Sequence, residues 1–489
     1  MIALLLLSGA ADAAAYYFLD AGTRGMSRAG AFVASVDDLS AQYYNPAGLI
    51  RLQRPQAYIN FSGIGQDISF TRTDYDPASG ELLTTYDTVD NQGGLMAIPA
   101  FGFSTRLGLP NTVFAIGLYP PFAPRFQYDP EGPQRYTLME SLLIQTNFGP
   151  SVAHRFSDWL TVGLGAQWVY VSAQQSLALD TCDPDAPDAL LEDCRAQPEK
   201  YDIDVSLEMA DPVQFAFSGG LLVEPAEWVA IGASFMSPVE VDGTGSIVAD
   251  FGEEHALVTS GGLAQSSYTD DDVRVLLQLP WIFRLGTAFY PTDNLNIELA
   301  GVYTTWSATS EITVTDVNLD LTLGETGQTF AVDADGNPQE AITVDDDIVL
   351  PAGFNNAWSV RLGGQYDYND VTVRAGVAYE TSAVPASTQS VSAADGNKFV
   401  YGIGGTYRLK RRMSFDLGVS QTFLQSQEIT SSEVSKIVIP VFPLTNLADP
   451  DNLAIQNGDV VGTGAFSSTA LFVSGGVTYR FGRFNNEAG

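Results

Sequence analysis

From Pro55 onward, apolar and polar residues alternate with a period of two, in segments of about ten residues or more. The clearest segments read LTVGLGAQWVYVSA, AWSVRLGGQYDY and VTVRAGVAYE. One face of each is apolar with aromatic residues near its ends, and the other face is small, polar or charged. A soluble β-sandwich also alternates, but aromatic ends on segments of this length are typical of an outer-membrane β-barrel with its apolar face toward lipid. Because no sheet edge can stay unpaired in lipid, we expect the sheet to close.

The connections between these segments alternate between short and long. Short ones lie at 107–112, 156–159, 224–228, 290–294, 366–370 and 409–413, and long ones near 75–93, 120–138, 180–200, 250–272, 317–352, 385–397 and 430–463. Thirteen connections join fourteen strands, and in such barrels the short turns face the periplasm. The pattern therefore predicts an all-β fold, a 14-stranded antiparallel transmembrane barrel over residues 55–481, with 482–489 as a C-terminal tail.

The N-terminal region does not alternate. Residues 1–15, MIALLLLSGAADAAA, have the apolar run and small residues of a secretory signal peptide, although the usual basic n-region is missing, as in a truncated start. The alternative for these residues is a buried N-terminal strand. Residues 16–54 precede the first strand, and the lumen of a 14-stranded barrel is too wide for its wall side chains to fill. We therefore expect residues 16–54 to form a hatch that plugs the lumen, since they are more apolar and aromatic than the alternative, a disordered tail.

The net charge and the two cysteines limit the classes of partner and site that the chain can have. A net charge of −35 excludes nucleic acid as a partner, because phosphate binding requires basic residues. Most of the acidic residues lie in the long connections, where solvation accounts for them. Cys182 and Cys194 flank one acidic loop, without metal-binding Cys-X₂-Cys spacing, and predict a disulfide. No catalytic or metal-binding constellation is present in the sequence, so neither an enzyme nor a cofactor is expected.

In the stretch AGTRGMSRAGAFVASVDDLSAQYYNPAGLIRL, two acidic residues precede Y-x-N-P-A-G. This is the most specific of several stretches that resemble the FadL/TodX family of outer-membrane channels for long-chain fatty acids and hydrocarbons. The others are QRYTLMESLLIQTNFGPSVAHRFSDWLTVGLGAQWVY, LPWIFRLGTAFYPTDNLNIELAGVYTTWS and AWSVRLGGQYDYNDVTVRAGVAYETSAVP. The likeness covers nearly the whole mature chain except the long loops.

The resemblance implies an N-terminal hatch whose characteristic turn is formed by Asn45, Pro46, Ala47 and Gly48. It also implies that cargo enters from outside, binds in the lumen and leaves through an opening in the barrel wall beside a kink in the third strand. Gly117 lies in that strand and is the kink candidate, since strand glycines often mark bulges. The alternative is that Gly117 is one of many wall glycines without a special role.

A fatty-acid carboxylate would need a cation in the low-dielectric lumen. By alternation, the inward-facing arginines are Arg284, Arg361 and Arg374, which are our candidates for binding it. The alternative is that they pair with lumen acids such as Glu298, Asp367, Glu380 or Asp416.

Three functions remain open at this point. The first is passive uptake of hydrophobic molecules across the bacterial outer membrane by a lipid-embedded monomer, with long-chain fatty acids favoured over neutral hydrocarbons. The second is a structural or adhesive outer-membrane protein with acidic surface loops, and the third is a general porin.

Overall fold

The computed structural model describes residues 21–76, 79–309, 311–331, 337–345, 348–351, 353–392, 394–410, 412–443 and 456–482. The predicted signal peptide (1–15), the first residues of the predicted hatch (16–20) and most of the predicted tail (483–489) lie outside this part of the chain.

Fourteen long strands form one closed antiparallel barrel. They are β1 (Gln56–Tyr75), β2 (Met96–Thr105), β3 (Thr112–Phe122), β4 (Glu140–Ser157), β5 (Leu160–Cys182), β6 (Asp202–Ala226), β7 (Val229–Met236), β8 (Ile282–Thr292), β9 (Leu295–Thr304), β10 (Ala357–Tyr368), β11 (Val371–Glu380), β12 (Lys398–Leu409), β13 (Met413–Leu424) and β14 (Gly464–Arg480). Each pairs with the next strand along the chain, and β14 pairs with β1 from Gln56↔Arg480 to Arg72↔Gly464. The predicted strand number and closure are confirmed. The connections alternate between short and long as predicted, but two long ones, expected near 250–272 and 317–352, extend over 237–281 and 305–356.

Side-chain exposure follows the predicted alternation along the wall. On β10, Trp358, Val360 and Leu362 are exposed on the outer face, whereas Ser359 and Arg361 between them are buried on the inner face. Large aromatic side chains are also exposed at the short-turn end, among them Trp159, Trp228 and Tyr479. An apolar outer face with aromatic ends is stable against lipid, and the β14–β1 pairing removes the two outer edges that an open sheet would have.

The long connections carry secondary structure of their own. The wall between β7 and β8 continues as two further strands, Val239–Asp250 and Ser267–Leu279, which pair with each other, and the first of them also pairs with β6. The other strands outside the barrel wall are Leu82–Thr85, Val89–Asp90, Arg125–Gln127, Glu311–Thr315, Asn318–Thr322, Ala341–Asp345, Ile348–Pro351, Gln427–Ile429, Ser435–Phe442 and Gln456–Val460.

The helices are Thr23–Met26, Ala41–Tyr44, Pro46–Arg51, Asp188–Ala196, Pro198–Tyr201, Ala256–Thr259, Trp306–Ala308, Glu325–Phe330 and Ala386–Thr388. Among the described residues, none of the helices combines the length and the apolar character that crossing a membrane requires.

Residues 21–52, called the inner segment below, contact inward-facing positions around the whole barrel. All of them are buried except Ala21, Asp37 and Arg51, which are partly exposed. Hydrogen bonds join the inner segment to Ser151 of β4, Leu221 of β6, Ser234 of β7, Asn296 of β9, Asp416 of β13 and Ser474 of β14. In the half of the barrel next to the short turns, the inner segment thus fills the space that a side-chain core would fill in a narrower barrel.

Candidate functional site

The N-P-A-G turn packs tightly against two neighbouring strands. The Asn45 side chain accepts a hydrogen bond from the Ala47 amide at 3.1 Å and donates to the carbonyls of Val33 and Leu221, both at 3.0 Å. Asn45 is therefore the N-cap of the 3₁₀ helix Pro46–Arg51, and Pro46 occupies its first position, where a missing backbone donor is tolerated. Asn45 joins three parts of the molecule through one side chain.

Where β5 and β6 face this turn, the wall residues in contact with it are glycines. A methyl group on Gly163 of β5 would overlap the Ala47 amide, and one on Gly220 of β6 would overlap the Asn45 side-chain oxygen. Within the turn, a methyl group on Gly48 would overlap Val36. The close approach of the turn to the wall requires the absence of side chains at these positions.

A buried carboxylate from β9 binds the middle of the inner segment. Glu298 accepts hydrogen bonds from the backbone amides of Val33 (2.6 Å), Ala34 (2.9 Å) and Ser35 (2.9 Å) and from the Ser35 hydroxyl. Arg28 lies 3.8 Å from the same carboxylate. Three convergent backbone donors and a nearby guanidinium compensate for the removal of this charge from water.

A second cluster of charged side chains links the start of the inner segment to β13. Arg24 contacts Asp37 at 2.9 Å, Asp38 at 3.6 Å and Asp416 at 3.1 Å. The two adjacent acids of the sequence motif thus pair with a base inside the barrel, and only Asp37 is partly exposed.

The three candidate arginines all face inward and are buried, but they lie in different surroundings. The Arg284 guanidinium stacks on the ring of Tyr43, 4.4 Å from its centre. Arg361 donates to Ser359 at 3.0 Å and lies 3.6 Å from Glu380.

Arg374 belongs to the charged group around Asp416. It donates to Gln365 at 3.2 Å and Thr406 at 2.6 Å, and lies 4.0 Å from Asp416. Arg361 and Arg374 therefore have the acidic neighbours of a lumen ion-pair network, whereas Arg284 contacts the inner segment through an aromatic ring.

The ladder between β2 and β3 is incomplete. It runs from Thr105↔Phe114 to Phe101↔Leu118, and beyond that pair the described residues of the two strands do not pair with each other. Residues 96–100 continue to pair with β1, and β3 continues along β4 with a register shift between Tyr119 and Phe122, at Pro120–Pro121. We call the space between residues 96–100 and 119–122 the β2–β3 gap.

Gly117, the proposed kink residue, lies next to this gap on the side of the short turns. Gly117 pairs in register with Gly102 on one side and Gly149 on the other, so the register shift falls a few residues further along β3. The role of Gly117 as the origin of a wall kink stays a prediction.

Two small cavities adjoin the β2–β3 gap, with volumes of about 30 and 20 Å³, room for no more than a water molecule or two. Both touch Ala21 and Gly22 of the inner segment and Ala100 and Tyr119 at the gap. The remaining lining includes Asn60, Ile98 and Phe472 of the first cavity and Gln42, Tyr43 and Phe101 of the second. No acidic, lysine, arginine or histidine side chain lines either cavity, so the surface at the gap is apolar with neutral polar groups.

Above the inner segment, toward the long loops, the barrel interior is apolar on the same side. Inward-facing Ile68 and Phe70 of β1 pack in one cluster with Phe126 and with Phe466 of β14, and the Phe70 and Phe466 rings stack at 4.3 Å. Further down, Ile64 and Ile98 pack with Ala123. These clusters fill the barrel interior between the long-loop end and the gap with packed apolar side chains.

At the long-loop end, Cys182 and Cys194 form a disulfide, with Cα atoms 6.5 Å apart. It joins the end of β5 to the helix Asp188–Ala196, so it closes the loop in which the sequence placed it.

The family described as "Outer membrane protein transport protein (OMPP1/FadL/TodX)" has a sequence profile that matches residues 4–454. The chain belongs to this family. It is 24% identical over 467 residues to outer membrane protein P1 of Haemophilus influenzae, covering 89% of the chain and 91% of that protein. It is 26% identical over 222 residues to the long-chain fatty acid transport protein of Escherichia coli K12, covering 44% of the chain and 43% of that protein.

Solved structures have the same fold. A FadL homologue of Pseudomonas aeruginosa superposes with a TM-score of 0.70 at 17% identity, covering 96% of this chain and all of the other. The toluene transporter TodX of Pseudomonas putida superposes with a TM-score of 0.60 at 14% identity, covering 95% of this chain and 99% of the other. The chain is therefore an outer-membrane barrel of a family of hydrophobic-molecule transport channels, not of enzymes.

The sequence did not single out several residues that position the site. Gln42 and Tyr43 lie in the recognised motif but received no role, and Glu298 was considered only as a partner for arginine. Strand parity placed Glu298 inside the barrel, but only the folded chain shows that its partners are backbone amides. The end of the β2–β3 ladder has no signal in the alternation, because both strands alternate normally through it.

Proposed function

We propose that the chain is a channel for passive uptake of hydrophobic molecules, with long-chain fatty acids as its principal cargo. Cargo is captured at the extracellular loops, binds in the lumen and leaves sideways through the β2–β3 gap. Residues 16–54 act as the hatch, with Asn45, Pro46, Ala47 and Gly48 as its fixed turn, and the protein works as a monomer in contact with outer-membrane lipid.

The observation that carries this proposal is the β2–β3 gap, closed from inside by the inner segment. A β-barrel in lipid normally pairs every strand edge, because unpaired backbone groups are costly there. An interrupted ladder beside an apolar interior therefore indicates a function that outweighs this cost. The gap lies next to Phe101, whose side chain is exposed on the outer face of the barrel. Packed apolar clusters lie between the extracellular end and the gap, so a cargo molecule that displaces these side chains would meet apolar groups.

Neutral hydrocarbons are the second candidate cargo. The cavities at the gap lack acidic and basic side chains, and this lining suits a molecule without a charged group. A fatty acid would instead require a cation elsewhere along its path, and Arg284 is the candidate that contacts the inner segment. Arg361 and Arg374 are the other carboxylate candidates, although both already have acidic neighbours.

Uptake assays distinguish these functions. Cells that lack their own fatty-acid channel would express the chain or an empty vector and receive labelled oleate or labelled toluene. Faster oleate uptake supports the fatty-acid proposal, and faster toluene uptake alone supports the hydrocarbon alternative. No increase for either probe contradicts the transport proposal and favours a structural or adhesive role.

Substitution of Arg284 tests whether a carboxylate is bound in the lumen. Arg284→Ala should weaken oleate binding by about 1.5–3 kcal/mol, the range for hydrogen bonds to charged groups, while the matching alcohol loses much less. Arg284→Lys should retain part of the affinity, since the charge remains but the planar donor pair does not. Binding of both ligands to the purified barrel would be measured by calorimetry. Equal losses for acid and alcohol would mean that Arg284 supports Tyr43 and the inner segment instead of the ligand.

A further inference from the structure

Three glycines form one ladder row on the inner face of the barrel wall. Gly102 of β2 pairs with Gly117 of β3, which pairs with Gly149 of β4. The next pair toward the extracellular end is Phe101↔Leu118, the last before the β2–β3 gap. This glycine row is therefore a patch of wall without side chains at the lower edge of the gap.

The side chain of Gln42 lies on this glycine row. Its amide nitrogen donates to the Gly149 carbonyl at 3.2 Å and to the Ser151 hydroxyl at 3.1 Å. A methyl group on Gly117 would overlap the Gln42 side-chain oxygen and would lie 3.1 Å from the Phe101 carbonyl. Gln42 can reach the β4 backbone only because Gly117 has no side chain.

The neighbours of Gln42 cover the rest of the same area. A methyl group on Gly102 would come within 3.6 Å of Leu39. The Tyr43 ring packs edge-on against Tyr119 at the gap, with centres 5.7 Å apart. One short stretch of the inner segment, from Leu39 to Tyr43, thus contacts both the glycine row and the edge of the gap.

Two of the wall attachments of the inner segment, at Glu298 and at the glycine row, differ in strength. On β9, Glu298 binds three backbone amides through a charged group. At the glycine row, Gln42 makes neutral hydrogen bonds, which contribute about half as much or less. Detachment is therefore expected more readily at Gln42 than at Glu298.

We propose that Gln42 is the positioning residue that holds the inner segment closed over the β2–β3 gap, and that Gly117 is required as its contact surface. This inference rests on the proposed release of cargo through that gap. It gives Gly117 a role different from that of a strand kink: the residue leaves room for the inner segment.

Hydrogen–deuterium exchange of the purified barrel tests the contact without any cargo. Gln42→Ala should speed exchange of the Ala41–Tyr44 amides by about fivefold or more, since loss of two neutral hydrogen bonds favours the open form. Asn111→Ala is the matched control, because Asn111 also carries a side-chain amide but is exposed in the short turn between β2 and β3, outside residues 16–54. Equal exchange in the two variants would contradict the proposal.

Substitutions at Gly117 test the other partner. Gly117→Ala should speed exchange of the same amides, whereas Gly301→Ala should not, because a methyl group at Gly301 meets only an ordinary contact at 3.7 Å. Combined with Gln42→Ala, Gly117→Ala should add no further acceleration, since the overlapping side chain is gone. Additive effects would overturn the coupling. If Gly117→Ala alone does not assemble, because its methyl group also meets the Phe101 carbonyl at 3.1 Å, the exchange result for Gln42→Ala decides the proposal by itself.

Uptake assays distinguish a failure of this inference from a failure of the proposed transport function on which it rests. If the wild-type chain transports oleate or toluene, Gln42→Ala should raise the initial rate about twofold or more, because the open fraction grows when the amide hydrogen bonds are lost. Asn111→Ala should leave the rate unchanged. An unchanged rate in Gln42→Ala despite faster exchange would show that opening at Gln42 does not limit release, and would overturn the gating role. Absence of uptake in the wild type would contradict the transport proposal, while the exchange data would still decide whether Gln42 holds the segment.

Discussion

At the scale of single residues, the inner segment is held by a few polar side chains that are unusual for the interior of a membrane protein. Glu298 is fully buried, and both of its oxygens accept hydrogen bonds from residues 33–35. A buried carboxylate is stable only when its hydrogen bonds are complete, so this contact fixes one orientation of the turn. Glu298 is thus an anchor for the inner segment, not a free group for cargo.

Replacement of Glu298 by glutamine tests this anchor. One oxygen becomes an amide that cannot accept from Ser35, and the remaining hydrogen bonds lose their charge assistance. We expect docking of the inner segment to weaken by about 2–3 kcal/mol. The measurement is the rate of protease cleavage within residues 21–54 of the purified barrel. Glu227→Gln, at an exposed turn, is the control and should cleave like the wild type.

At the scale of elements, the extracellular connections pack on one another around His255. This residue is the N-cap of the helix Ala256–Thr259, and its Nδ1 accepts a hydrogen bond from the Leu257 amide at 3.3 Å. The His255 ring packs on Phe251, 5.1 Å away, and on Phe442 of a different loop, 6.0 Å away. The side chain is buried, and burial lowers the pKa of His255 to about 4.

This environment predicts that the loop packing depends on pH. In an opened loop the histidine would titrate near its ordinary pKa of about 6.5, so opening is favoured by proton uptake below that value. The packing keeps its full stability above about pH 6.5 and loses on the order of 3 kcal/mol as the pH falls toward 4. Proteolysis of residues 237–281 at pH 7.5 and 4.5 measures the change. His255→Gln cannot take up the proton, and a pH dependence that survives in this variant would assign the effect to other groups.

At the scale of the whole molecule, the wall and the inner segment have separate sources of stability. The wall is closed by backbone ladders between neighbouring strands, including the β14–β1 pairing. The inner segment depends on side-chain contacts, of which Asn45 alone supplies three hydrogen bonds. The barrel should therefore assemble when contacts of the inner segment are removed.

Combined replacement of Asn45 and Pro46 by alanine tests this separation. The loss of the cap and its hydrogen bonds should weaken docking of the inner segment by about 1–3 kcal/mol and change uptake of a hydrophobic probe. The heat-modifiable folded band on a gel should remain. Its loss would mean that the N-P-A-G turn is needed for barrel folding and not only for the hatch.

The sequence alone determined the wall, because a membrane-spanning strand needs only a period of two and because lipid forces the sheet to close. Strand number and the sidedness of Arg284 and Arg361 follow from such local rules, whereas the N-P-A-G turn was expected from the family resemblance. The tertiary structure alone decided which groups meet across the lumen. Glu298 binds backbone amides, Gln42 lies on a glycine row formed by three strands, and the β2–β3 ladder stops at Phe101↔Leu118. These features depend on contacts between residues more than a hundred positions apart or on where a ladder ends, and neither leaves a periodic trace in the chain.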